Sequence, residues 1–121
     1  MHRSRIGEIT IDCKTDDLAH AATFWSAALG YRAVPFENHY RFQIEGDELA
    51  INLQSVTHAS RVHIDIETDS IALEVRRLEQ LGARSVRVER RWVVMETPTG
   101  HRICVCRPAR KLFHERAHRW T

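Results

Sequence analysis

No apolar run in this 121-residue chain approaches the roughly 20 residues that a helix needs to cross a bilayer. A membrane partner is therefore not expected. The opening Met1-His2-Arg3-Ser4-Arg5 lacks the apolar core of a secretory signal and runs straight into a strand-like pattern. Cysteine is also scarce, with three residues, an odd number. Two of them, Cys104 and Cys106, stand two apart, where one strand would place them on a shared face without disulfide geometry. A reducing, cytoplasmic setting fits these features. Charge of one sign is missing as well: 18 Lys and Arg against 16 Asp and Glu leave a net +2, which argues against a nucleic-acid partner. The basic residues do cluster late, at Arg107, Arg110, Lys111, Arg116 and Arg119, opposed only by Glu115. Residues 109–121 read as a basic, solvated tail.

What is present is an ordinary globular composition, 43% hydrophobic and 28% charged, at a length that supports one hydrophobic core. A single domain over residues 1–121 is expected, and it carries an internal repeat. Ile11-Asp12-Cys13-Lys14-Thr15-Asp16-Asp17-Leu18 matches Ile64-Asp65-Ile66-Glu67-Thr68-Asp69-Ser70-Ile71 at a spacing of 64 − 11 = 53. Leu29-Gly30-Tyr31-Arg32-Ala33-Val34 matches Leu81-Gly82-Ala83-Arg84-Ser85-Val86 at 81 − 29 = 52. Unit one runs over about 6–55 and unit two over about 61–108.

Both units read alike. Ile9, Ile11 and Cys13 alternate with polar residues, as do Val62, Ile64 and Ile66, the period of a strand with one dry face. An aspartate-containing cap and an amphipathic stretch follow each: Leu18, Ala22, Trp25 and Leu29, then Ile71, Val75, Leu78 and Leu81, at helical spacing. Helices over 17–29 and 69–81 are predicted, with Phe24 and Trp25 in the core. Gly30 and Gly82 stop them. Three short strands come next in each unit, at residues 32–36, 40–45 and 48–54, and at 84–89, 92–96 and 102–107. Turns at Gly46-Asp47 and Thr97-Pro98-Thr99-Gly100 precede the last strand of each. A short helix through Leu112, Phe113, Ala117 and Trp120 is expected beyond Pro108.

The ordered combination of Ile11-Asp12-Cys13, Phe24-Trp25-Ser26-Ala27-Ala28-Leu29-Gly30, Val62-His63-Ile64-Asp65-Ile66, Leu78-Glu79-Gln80-Leu81-Gly82-Ala83 and Trp92 to Gly100 followed by Arg102-Ile103-Cys104-Val105 resembles a known family. It looks like the glyoxalase-like branch of the glyoxalase, bleomycin-resistance and dioxygenase (vicinal oxygen chelate) superfamily. The resemblance implies an α+β fold of two βαβββ units, an eight-strand curved sheet forming a cup with two outer helices. It also implies either a cup closed within one chain or a homodimer that exchanges units. In metal-dependent members the first and last strand of each unit supply ligands. Here those positions are His63 and Cys104 and, carried back through the repeat, Thr10 and Asn52.

Thr10 and Asn52 are poor ligands, so no cofactor is expected. The metal alternative is a soft ion on His63 and Cys104, helped by Glu8, Asp12 or Asp65. Strand parity then puts Glu8, Thr10, Asp12, Asn52, Gln54, Arg61, His63, Asp65, Arg102, Cys104 and Cys106 inside the cup. The opposite parity, Ile9, Ile11, Ile51, Leu53, Val62, Ile64, Ile103 and Val105, should lie under the helices. So polar an inner face calls for partners, and a small molecule is the economical one. Thr10, Asn52, His63, Cys104 and Arg102 are the expected ligand-binding residues, and Glu8 and Asp65 the carboxylates that would move a proton. Two alternatives to a metal-free small-molecule binder stand beside it: a metal-dependent lyase, isomerase or dioxygenase, and a protein-interaction module with a vestigial cup.

Overall fold

The computed structural model of the chain describes residues 1–46 and 49–121. The expected turn residue Asp47 and strand residue Glu48 lie outside the described residues. In chain order the elements are β1 (His2–Lys14), α1 (Leu18–Leu29), β2 (Ala33–Phe36), β3 (His39–Phe42), β4 (Ala50–Val56), β5 (Arg61–Thr68), α2 (Ile71–Gln80), β6 (Arg84–Val88), β7 (Trp92–Glu96), β8 (Arg102–Cys106), α3 (Phe113–Arg116) and β9 (His118–Trp120). The expected α+β succession, βαβββ twice over, is present. Contacts divide the chain into one compact unit of Glu8–Val62 and a second of Met1–Gly7 with His63–Thr121.

In the first unit the strands lie in the order β2-β3-β4-β1, with β1 and β4 parallel and Thr10 opposite Asn52. The helix starts where Asp17 accepts a hydrogen bond from the His20 N–H at 3.1 Å, satisfying a donor the first turn leaves open. It stops at Gly30, whose φ of +78° permits the left-handed cap and a 2.9 Å bond back to the Ser26 carbonyl. Between these ends Leu18, Ala22 and Trp25 face Phe42 and Leu53, with Ile11 and Ile51 alongside. Burying a side chain such as Leu53, which is fully enclosed, is worth about 2 kcal/mol. Phe24 departs from expectation: it is 62% exposed, because one residue along a helix is a rotation of about 100° off the core face.

The second unit repeats the order as β5-β8-β7-β6, with Asp65 of β5 opposite Cys104 of β8. Its helix is capped by Ser70, which accepts from the Leu73 N–H, while the expected aspartate, Asp69, instead accepts from the Arg3 N–H at 2.8 Å. Leu78, Val93, Met95, Ile103 and Val105 form the core, with Ile66, Ile71 and Val75 packed against it. Val62 and Ile64, expected under the helix, are 51% and 38% exposed. Parity sets their side, but α2 leaves the end of β5 and its core takes in only Ile66.

Residues 109–121 are not a solvated tail. The Ala109 N–H donates to Glu67 at 3.0 Å, Arg110 donates to the Ile6 carbonyl at 2.9 Å, and Arg5 donates to the Lys111 carbonyl at 2.8 Å. Phe113 is buried beneath the Arg5 guanidinium, and β9 pairs antiparallel with His2–Ser4 of β1. The expected helix shrinks to Phe113–Arg116, and Trp120 sits on a strand. Buried acceptors, Glu67 above all, give these basic residues folded destinations that a charge count does not reveal. Among the described residues no helix is long and apolar enough to cross a membrane.

Candidate functional site

Each unit carries a row of polar side chains on β1 and β4, or on β5 and β8, and the two rows have opposite chemistry. In the first unit Glu8 is the hub. Arg41 of β3 donates to one Glu8 oxygen at 2.6 Å and, through Nε, to the Asn52 side-chain oxygen at 2.9 Å. Asn52 donates to the other Glu8 oxygen at 2.7 Å. The Arg41 guanidinium also lies 4.1 Å from the centre of the Phe36 ring. Within this triangle of carboxylate, guanidinium and amide each group answers another, and the one negative charge meets the one positive charge. Below it Thr10 is buried, and buried Asp12 accepts from Gln54 at 2.8 Å with Arg61 at 3.9 Å. Burial, and secondarily the Arg41 charge, lowers the pKa of the adjacent His39 and disfavours its protonated form.

In the second unit His63 Nε2 lies 3.2 Å from Asp65 Oδ1, with the two side chains only 11% and 18% exposed. A donor atom of Cys104 joins them, so that one atom of each residue lies within 4.8 Å of the others. The Asp65 oxygen is shielded from solvent and has no hydrogen bond in spite of its neighbour, since the imidazole is close but not aligned. Next along the same face Glu67 is fully engaged, with Arg5 at 2.6 Å, Arg110 at 3.7 Å and the Ala109 N–H. Arg102 turns to Glu96 instead, so its guanidinium is spent in a salt bridge on the neighbouring strand.

The ladders change which residues correspond. The sequence repeat aligns Thr10 with His63 and Asn52 with Cys104, yet Asn52 stands opposite Thr10 whereas Cys104 stands opposite Asp65. The two first strands are therefore offset by two residues against their last strands. The counterpart of His63 is Glu8, and that of Asp65 is Thr10. On the third strand of each unit Arg41 faces Asn52 and Val94 faces Cys104. Sequence reasoning missed Arg41 altogether, because its importance lies in a register against Asn52 that side-chain alternation does not reveal.

The family's metal-dependent members imply a divalent ion, and the two rows answer that differently. In the first unit Asn52 is neutral, Thr10 is a poor ligand, and Glu8 is already neutralised by a guanidinium that would repel an incoming cation. These residues do not fit. In the second unit an imidazole, a thiol and a carboxylate with an unanswered oxygen fit a soft ion.

A duplicated βαβββ chain with polar rows on the paired first and last strands is a protein of the glyoxalase, bleomycin-resistance and dioxygenase fold. The family model for the glyoxalase-like domain matches residues 8–106, and the chain belongs to that family. Among solved structures, a hypothetical protein from Bacillus halodurans C-125 superposes with a TM-score of 0.61 at 14% identity, over 88% of this chain and 95% of its own. Methylmalonyl-CoA epimerase from Mycobacterium tuberculosis gives 0.57 at 17% identity, over 88% and 89%. A glyoxalase/bleomycin resistance protein/dioxygenase superfamily member from Vibrio splendidus 12B01 gives 0.55 at 14%, over 90% and 100%. At such identities the likeness concerns the fold alone. No curated protein matches the chain.

Proposed function

We propose that this glyoxalase-like chain binds a small polar molecule on its inner polar rows, in the cytoplasm, without the four-ligand metal centre of the metal-dependent relatives. The closed triangle of Glu8, Arg41 and Asn52 carries this reading: it spends the first unit's charged groups on one another and leaves a preorganised, hydrogen-bonding surface instead of a cation cage. Thr10 and Asn52 in the first unit and, separately, His63 and Cys104 in the second are the residues at which each unit would meet a ligand. Assembly as a homodimer belongs to the same reading and is measured by sedimentation.

The test is thermal stabilisation of EDTA-treated protein by a panel of methylmalonyl-CoA, bleomycin and short hydroxy and keto acids. A ligand present at about 100 times its Kd adds about 2.7 kcal/mol. For a domain of this size that raises Tm by roughly 8–12 °C. Asn52→Ala should abolish the shift. If every panel member stabilises the protein only when a divalent ion is added back, the metal-free reading is wrong. The second reading, a metal-dependent lyase, isomerase or dioxygenase, is favoured by one observation, the convergence of His63, Asp65 and Cys104; in it Asp65 or Glu8 would move the proton.

A further inference from the structure

We infer that the first unit takes a planar aryl carbonyl compound, its ring stacked on the Phe36 and Arg41 pair and its neutral oxygen accepting from Arg41, a reading that rests on the proposed small-molecule function and names the class of ligand.

The β2–β3 hairpin builds the surface. Tyr40 and Phe42 of β3 pack into the core with α1, so His39 and Arg41 take the opposite face of the strand. The ladders set Phe36 opposite His39 and Asn52 opposite Arg41 on that face. The Arg41 guanidinium is held through two of its three nitrogens, Nε by Asn52 and one terminal nitrogen by Glu8. Among the described residues nothing accepts from its remaining terminal nitrogen, and the side chain is 27% exposed. Fixed in this way, the guanidinium lies 4.1 Å from the centre of the Phe36 ring, which is itself 42% exposed. A half-exposed ring against an immobilised guanidinium is a stacking surface with spare N–H groups at its rim.

Charge selects the acceptor. Glu8 already pairs with Arg41, so an anion gains little from that guanidinium, whereas a carbonyl oxygen needs only the spare N–H groups. His39 supplies no compensating cation, because burial and the Arg41 charge disfavour its protonated form, and Glu37 at the hairpin turn adds a negative charge beside it. The Nε2 atom of His39 is shielded from solvent without a hydrogen bond, and its ring stands edge-on to Phe36 at 5.4 Å, an unmet polar atom next to the same surface. The second unit lacks this arrangement. Val94 stands there in the place of Arg41, and the strand paired with it supplies Arg87 where the first unit has Val34.

The experiment titrates the 15N-labelled full chain in EDTA with acetophenone, with benzoate, which keeps the ring but carries a charge, and with cyclohexyl methyl ketone, which keeps the carbonyl but has no flat ring. For a ligand of this size acetophenone should saturate with a Kd of about 10 mM or below. It should bind about three- to tenfold tighter than either other probe. Shifts should centre on Phe36, Arg41 and the Asn52 side-chain amide. Phe36→Leu should weaken acetophenone about three- to tenfold and cyclohexyl methyl ketone less than about twofold, and Phe36→Tyr should retain parental binding. Benzoate as the tightest probe, equal weakening of both ketones by Phe36→Leu, shifts centred away from the hairpin, or no saturable acetophenone binding would each overturn the inference. The order of the three probes on the parent chain decides the matter even where a variant fails to fold. Short keto acids that stabilise the protein while acetophenone fails to bind would refute the aryl carbonyl ligand and leave the proposed function standing.

Discussion

Replacing Glu74 by glutamine tests whether polar pairing, rather than apolar burial, holds the first strand onto α2. Glu74 is completely buried; it accepts from His2 at 2.7 Å and from two nitrogens of Arg77 at 2.8 Å each. Burial pushes its pKa up, but the hydrogen bonds from Arg77, His2 and Ser4 outweigh burial and hold the carboxyl below its ordinary value. Hydrogen bonds to a charged acceptor are worth about 1.5–3 kcal/mol against about 0.5–1.5 for neutral ones. Across the three bonds from His2 and Arg77 alone the charge therefore contributes roughly 3 kcal/mol, less the desolvation that glutamine avoids, which leaves about 2 kcal/mol. Near neutral pH the variant should melt roughly 6–10 °C below the parent. The sign of the pH dependence follows from the depressed pKa. The contribution is complete above the unfolded value of about 4.3 and disappears as pH falls through the lower folded value. Melting curves by circular dichroism should thus show the gap at pH 7 and its closure as pH falls through and below the ordinary carboxylate range. A gap that persists in acid, or a variant as stable as the parent at pH 7, would refute the argument.

Glu67→Gln leaves the buried guanidiniums of Arg5 and Arg110 without their anion, a loss of about 3–5 kcal/mol, and should release residues 109–120. Hydrogen exchange in that segment, and tryptic cleavage after Arg110 and Lys111, should rise sharply; unchanged protection would show that Phe113 and β9 hold the segment without the ion pairs. Gly82→Ala should cost about 1–3 kcal/mol, because φ there is +109° and a Cβ would meet the Pro98 ring at 3.1 Å. Gly30→Ala, at φ +78° in open space, should cost about 1 kcal/mol, and the reverse order of the two melting points would contradict this account.

Helix periodicity was legible because it is local. Leu18, Ala22 and Trp25, or Ile71, Val75 and Leu78, mark a face whatever packs on it, and Gly30 and Gly82 mark the ends. Register was not legible. A two-residue slip of one strand against another preserves side-chain parity, so the alternation that identifies β1 and β5 is blind to whether Thr10 or Glu8 is the counterpart of His63. The same blindness hid Arg41, whose importance lies in what it faces. The ends of the chain were misread for a related reason. His2, Ser4, Arg5 and Arg110 are polar, and their burial depends on partners far away in sequence: Glu74, Trp120 and Glu67. Composition places such residues outside, and only the pairing brings them in.

The two copies of one motif have come to hold opposite solutions to the same electrostatic problem. Polar groups on the paired first and last strands must be answered, and in the first unit Glu8, Arg41 and Asn52 answer one another. The second unit places His63, Asp65 and Cys104 on the matching positions but sets Val94 where the arginine would stand, and one carboxylate oxygen is left without a donor. Groups that answer one another resist change, while a shielded carboxylate oxygen without a hydrogen bond gains free energy from a donor that reaches it. It follows that Arg41→Ala, which removes two hydrogen bonds from the first set, should lower Tm, whereas Asp65→Asn, which removes a carboxylate with one oxygen lacking a hydrogen bond, should not.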